Sequence, residues 1–207
     1  MRVGKPIQYI LAILSVLSVY GCVTTKSYVD PSFEDATYDA IKPVASKYVS
    51  KVEVEFQRNG ERVEEAEKEV RNHVERTLRA TGVIDPSASD TAITIKVVVN
   101  NIADLGEARA KGFGTGLTFG AAGSVVTDYY EVSISFLDGE GAELTENYKH
   151  ALHSTIGNKK APIEGVEPTT PADGFGTIVE QVLLNFVKDM QSKGLLSSTH
   201  FVIPWLS

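Results

Sequence analysis

His150 and His153 stand three apart in the run His150-Ala-Leu-His153, and they are the only closely spaced histidines in the chain. Imidazole pairs are common metal ligands and proton carriers, so this pair is the first place to look for chemistry. The surrounding residues read as a strand, however, and on a strand residues three apart point to opposite faces. Two rings so placed cannot share a zinc ion, and no cysteine or further histidine is spaced to help them. Asp128 and Glu131 are the nearest candidates for an acid/base carboxylate pair, provided the fold makes them converge. Neither a Gly-x-Ser-x-Gly nucleophile elbow nor a His-Glu-x-x-His motif occurs. Gly112, Gly114, Gly116 and Gly120 could let backbone amides approach a phosphate, but a nucleotide loop follows a strand and opens a helix, whereas here the next element is a strand. The expectation is a protein that is not an enzyme, with no metal and no cofactor.

Cys22 is the single thiol, and its setting gives it a different chemistry. Arg2 and Lys5 open the chain, Tyr9 to Val19 is apolar but too short to cross a bilayer, and small residues follow. That is the layout of an export signal, here residues 1–21. Val19-Tyr20-Gly21-Cys22 resembles a bacterial lipobox, and the resemblance implies cleavage before Cys22 with acyl chains on its sulfur and amino group. Two or more chains hold a protein to a membrane stably, where one holds it only reversibly. Because Val23 rather than aspartate follows the cysteine, the resemblance to sorted lipoproteins implies the outer membrane, on its periplasmic face. Ordinary cleavage, releasing a soluble periplasmic protein, is the alternative.

Without another cysteine the domain must be held together by its core. The chain has 207 residues, 43% of them hydrophobic, which suits one globular domain. Its formal charge of -7 makes nucleic acid an unsuitable partner, and loss of Arg2 and Lys5 with the leader makes it more acidic still.

Residues 22–46 lack an apolar period and carry Asp30, Pro31, Asp35 and Pro43, so they read as a tether from the lipidated cysteine. Residues 47–195 read as a single domain. Val52, Val54 and Phe56 alternate with polar residues as a strand ending at Asn59-Gly60. From Glu61 to Ala80 the positions of Val63, Ala66, Val70, Val74 and Leu78 predict a helix, with Gly82 as its stop. The i,i+4 pairs Glu64 with Lys68, Glu67 with Arg71 and Glu75 with Arg79 predict a solvated outer face. A second strand runs through Ile93 to Val99. A third, through Tyr130 to Phe136, turns at Asp138-Gly-Glu-Gly141 into a fourth from Ala142 to about Ser154. Phe175 to Met190 then predicts a second helix. The fold class is α+β, a two-layer sandwich in the order β-α-β-β-β-α, with a mixed four-stranded sheet and two helices on one face. The first β-α-β unit should be a parallel crossover and strands two to four an antiparallel meander.

This order, the lipobox, Arg109-Ala-Lys-Gly-Phe-Gly-Thr-Gly116 and the Phe136-Leu-Asp-Gly-Glu-Gly141 turn resemble the YajG-like group of small bacterial envelope lipoproteins of unknown function. The match covers roughly residues 47 to 193. The element order is also similar to that of the lipopolysaccharide-assembly lipoprotein LptE. What the resemblance implies is a membrane-anchored, non-catalytic binding or assembly module that meets another envelope protein, with association between its own copies compatible. A periplasmic carrier of a lipid or glycan is the alternative, and a hydrolase of envelope polymers comes third.

Two apolar stretches are candidates for contact with a partner or the membrane. Residues 112–127 carry no charge, lie in a connection far longer than a hairpin needs, and hold Phe113, Leu117 and Phe119. Residues 196–207 form a tail that contains the only tryptophan, Trp205, and either folds back as an edge strand or docks on another chain.

Overall fold

The computed structural model describes residues 25–33, 36–87, 91–103, 125–157 and 160–197. Residues 1–21, read from the sequence as a signal peptide, and Cys22, Phe113, Leu117, Phe119 and Trp205 lie outside the described residues. In chain order the elements are β1 (Thr25–Val29), a 3-10 turn at Tyr38–Ala40, β2 (Tyr48–Arg58), β3 (Glu61–Arg62), α1 (Glu64–Ala80), β4 (Ile84–Ser87), β5 (Ile93–Ile102), β6 (Val125–Leu137), β7 (Glu143–Ile156) and α2 (Pro171–Ser192).

The class is α+β as expected, but the sheet has seven strands rather than four. Its order is β1-β7-β6-β5-β2-β3, with β4 also paired to β2. β2 and β5 run parallel, and β5, β6 and β7 form the antiparallel meander. The three additional strands, of five, two and four residues, are too short for a period to be read from the sequence, and pairing with their neighbours' backbones holds them. β3 arises from the Asn59-Gly60 turn. Both residues have positive φ, 52° and 83°, the geometry of a tight hairpin that Asn-Gly adopts readily, and it returns Glu61 and Arg62 alongside Arg58 and Gln57. Hence α1 begins at Glu64 and not at Glu61. Of the three i,i+4 pairs, Glu75 with Arg79 closes at 3.0 Å, while Glu67 turns to Arg62 and Arg71 donates to the Val52 carbonyl at 2.6 Å.

The tether reading of residues 22–46 needs the same correction. Thr25–Val29 pairs antiparallel with β7, Ser27 exchanges both backbone hydrogen bonds with Thr169, and Tyr28 is buried. Further on, the Gln191 side chain accepts from the Lys42 amide at 2.9 Å and donates to its carbonyl at 2.7 Å, while Ile41 and Val44 pack against the core. At the other boundary Leu196 is fully buried and Tyr48 donates its hydroxyl to the Ser197 carbonyl, so the core continues past residue 195. Polar residues that satisfy their backbone groups on a neighbour leave no hydrophobic period to read.

Both helices lie on one face and share a single buried cluster with it. Val70, Val74 and Leu78 of α1, and Ile178, Val182, Leu183, Phe186, Val187 and Met190 of α2, pack over the inward side chains of the sheet. Register stacks these in rows across the strands: Val52, Ile95, Phe136 and Leu144; Val54, Val97 and Ile134; Phe56, Val99, Val132 and Tyr148. α2 is started by Thr170, which accepts from the Asp173 amide at 3.1 Å, with Pro171 in the first turn. Gly174 and Gly176 let that turn approach closely: a Cβ at Gly176 would stand 2.7 Å from the His73 ring, and one at Gly174 2.7 Å from Leu152.

Candidate functional site

One row further toward the end of the sheet, the inward face stops being apolar. The next register positions across β2, β5, β6 and β7 are Arg58, Asn101, Tyr130 and His150, and Asp128 follows Tyr130 on the same face of β6. At this end a cleft of about 340 Å³ opens between the start of the two helices and strands β2, β5 and β6. Its apolar wall is built from Phe56 at the end of β2, Phe175 in the first turn of α2, and Ala66 and Val70 of α1. Phe175 is central. Its ring meets Phe56 edge to face at 6.1 Å and 87°, meets His73 at 6.1 Å and 88°, and lies 5.5 Å from the tilted ring of Tyr130. Such crossed pairs hold a ring's orientation.

The polar wall faces these rings. The Asn101 amide donates to Asp128 Oδ1 at 3.2 Å, which fixes both side chains. Arg58 and Glu69 stand exposed at the rim and have no hydrogen-bond or ion-pair partner among the described residues. Burial, with the Asp128 charge second, holds the Tyr130 hydroxyl far above its ordinary value, so it stays a neutral donor at any physiological pH. The cleft therefore presents donors and acceptors side by side, above a floor of hydrocarbon.

The histidines part as their spacing requires. His150 is buried on the helix side, its Nε2 2.7 Å from Gln181 Oε1 and its ring stacked on Phe33 at 5.1 Å. His153 is on the opposite face, with Nδ1 2.9 Å from Thr127 Oγ1 and Nε2 3.0 Å from Asp30 Oδ2. A hydroxyl, an imidazole and a carboxylate in series is also the order of an acyl-transfer triad. Here the ring is only 4% exposed and ties β6 and β7 to Asp30, the residue that follows β1, which makes it a cross-link. Asp128 and Glu131 sit on opposite faces of β6, since Glu131 is three residues on, and they do not form the carboxylate pair considered from the sequence. Among the described residues no three His, Cys, Asp or Glu side chains gather as a metal site, and no helix is long and apolar enough to cross a membrane.

Sequence reasoning missed Arg58, Glu69, Asn101, Tyr130 and Phe175 as a group. A signal was present: each inward series turns polar at one end, Phe56 giving way to Arg58, Val99 to Asn101, and Val132 to Tyr130 and Asp128. Only the register shows that these ends coincide.

No family model matches the chain, and no curated protein matches it. Among solved structures it is similar to a dodecamer of a PelC variant from Paraburkholderia phytofirmans, at TM-score 0.31 and 13% identity, over 78% of this chain and 95% of that one. It is also similar to a putative neuraminyllactose-binding hemagglutinin homolog from Helicobacter pylori, at TM-score 0.45 and 10% identity, over 74% and 87%. A third is a minor lipoprotein from Acinetobacter baumannii, at TM-score 0.35 and 12% identity, over 72% and 94%. Likeness at this level adds nothing to the reading of the cleft, and the resemblance to the YajG-like group and LptE gains no support from a matching family model.

Proposed function

We propose that the chain is a non-catalytic binding module of the bacterial cell envelope, held to the periplasmic face of the outer membrane by lipid on Cys22, with the cleft as its ligand site. The observation that carries this reading is the polar row: Arg58, Asn101, Tyr130 and Asp128 converge on a space floored by aromatic rings, beside an inward face that is apolar through the middle of β2, β5 and β6. Oriented polar groups that converge on an apolar concavity are what a small-molecule site requires. Asp128 is engaged by Asn101 and Glu69 stands at an exposed rim, not in the apolar enclosure that an acid catalyst needs. Anchoring rests on the sequence around Cys22, and contact with the membrane or another envelope protein through Phe113, Leu117, Phe119 and Trp205 belongs to the same proposal.

Native mass spectrometry of the full chain, purified from gently solubilised membranes, tests the site. The wild type should carry a bound mass that Asp128→Ala and Phe175→Ala both lose while remaining folded. A mass retained in both variants, or absent from the wild type, would remove the cleft from consideration. In parallel, Cys22→Ser should move the chain from the membrane to the soluble fraction, and a wild type already in the soluble fraction would refute the anchor.

A further inference from the structure

The side chains that line the cleft also limit what can occupy it. Arg58 supplies only donors, Asp128 and Glu69 supply only acceptors, and Asn101 supplies both. A phosphorylated or carboxylated ligand would find one guanidinium and two carboxylates. An organic cation could use the aromatic rings and the carboxylates, but would have to lie against the Arg58 charge. A hydroxyl both donates and accepts, so a ring bearing several hydroxyls can meet every member of this set at once. Phe56 and Phe175, crossed at 87°, form a corner that offers a flat face and an edge to the C–H side of such a ring. The volume, about 340 Å³, is near the small end of ligand cavities and suits a short saccharide better than an acyl chain.

We infer that the cleft binds an uncharged sugar ring, its apolar face on Phe56 and Phe175 and its hydroxyls on Arg58, Asn101 and Asp128. This rests on the binding-site reading above and adds the ligand class. The ring reaches the cleft as part of a glycan or as a free saccharide, since the same side chains read either.

The test is saturation-transfer NMR on the full chain in a polyoxyethylene detergent, whose headgroup is not a sugar. The probes are cellobiose and N,N′-diacetylchitobiose as neutral saccharides, glucose 6-phosphate as an anion and choline as a cation. A neutral saccharide should bind in the millimolar range with saturation strongest at its ring C–H protons. Asp128→Ala and Phe175→Leu should each weaken it about tenfold or more, with unfolding temperatures close to that of the wild type. Arg58→Gln should weaken it less, because the amide keeps a donor. Tighter binding of choline or glucose 6-phosphate would overturn the sugar assignment and leave the cleft standing as a site. Saccharide binding unmoved by the substitutions would overturn both. If neither saccharide binds, the ligand class is wrong, and the native mass result alone then judges the site.

Discussion

Replacing Asp30 tests whether residues 25–33 belong to the domain. Its carboxylate accepts from the Ser32 amide at 2.9 Å and from His153 Nε2 at 3.0 Å, and the Asp30 and His153 side chains are only 19% and 4% exposed. Asp30→Ala deletes a hydrogen bond to a charged acceptor and leaves a buried ring nitrogen without its partner. Each effect costs about 1–3 kcal/mol; because both describe one contact they do not add fully, and a total of roughly 2–4 kcal/mol follows. For a domain of this size that lowers the unfolding temperature by on the order of 5–10 °C. Asp30→Asn, which keeps an acceptor for Ser32, should fall between wild type and alanine. The pH dependence has a definite sign. Burial alone would raise the Asp30 carboxyl, but the hydrogen bonds from His153 and Ser32 outweigh it and hold the group below its ordinary value of 3.8. A carboxyl with a depressed folded value contributes fully above its unfolded value and loses that contribution as pH falls through the folded one. The gap between wild type and Asp30→Ala, followed by circular dichroism during heating, should therefore be present at neutral pH and close as pH falls below about 4. A gap under about 1 °C at neutral pH, or one that persists undiminished well below pH 4, would refute the reasoning and return residues 25–33 to the status of a tether.

Two further substitutions probe the core and the floor of the cleft. Leu196→Ala removes a fully buried side chain at the far end of the main cluster and should cost about 2–5 kcal/mol in denaturant unfolding; a neutral result would place the end of the domain before it. Gly176→Ala sets a Cβ 2.7 Å from His73, which itself braces Phe175, so it should destabilise the domain by about 1–3 kcal/mol and weaken cleft binding, whereas unchanged binding would show that Phe175 does not need that brace.

Much of the fold was legible because hydrophobic period is a local property. Val52 to Phe56, Ile93 to Val99 and Tyr130 to Phe136 show a period of two, α1 and α2 a helical stripe, and Asp138-Gly-Glu-Gly141 turn chemistry, and each of these elements is present, with α1 starting three residues later than the stripe suggested. The opposite orientation of His150 and His153 was equally local, since it follows from their spacing on a strand. β1, β3 and β4 were not legible. Thr25–Val29 is a strand because β7 offers it an unpaired edge, and its polar residues give no signal of their own. The cleft depended wholly on tertiary structure. Arg58, Asn101 and Tyr130 come from three strands, Glu69 and Phe175 from two helices, and nothing within any one segment marks them as neighbours. Sequence by itself determined which residues alternate within each element. Strand register decided which polar residues face one another across open space, because pairing between distant segments is set by the burial of the whole core.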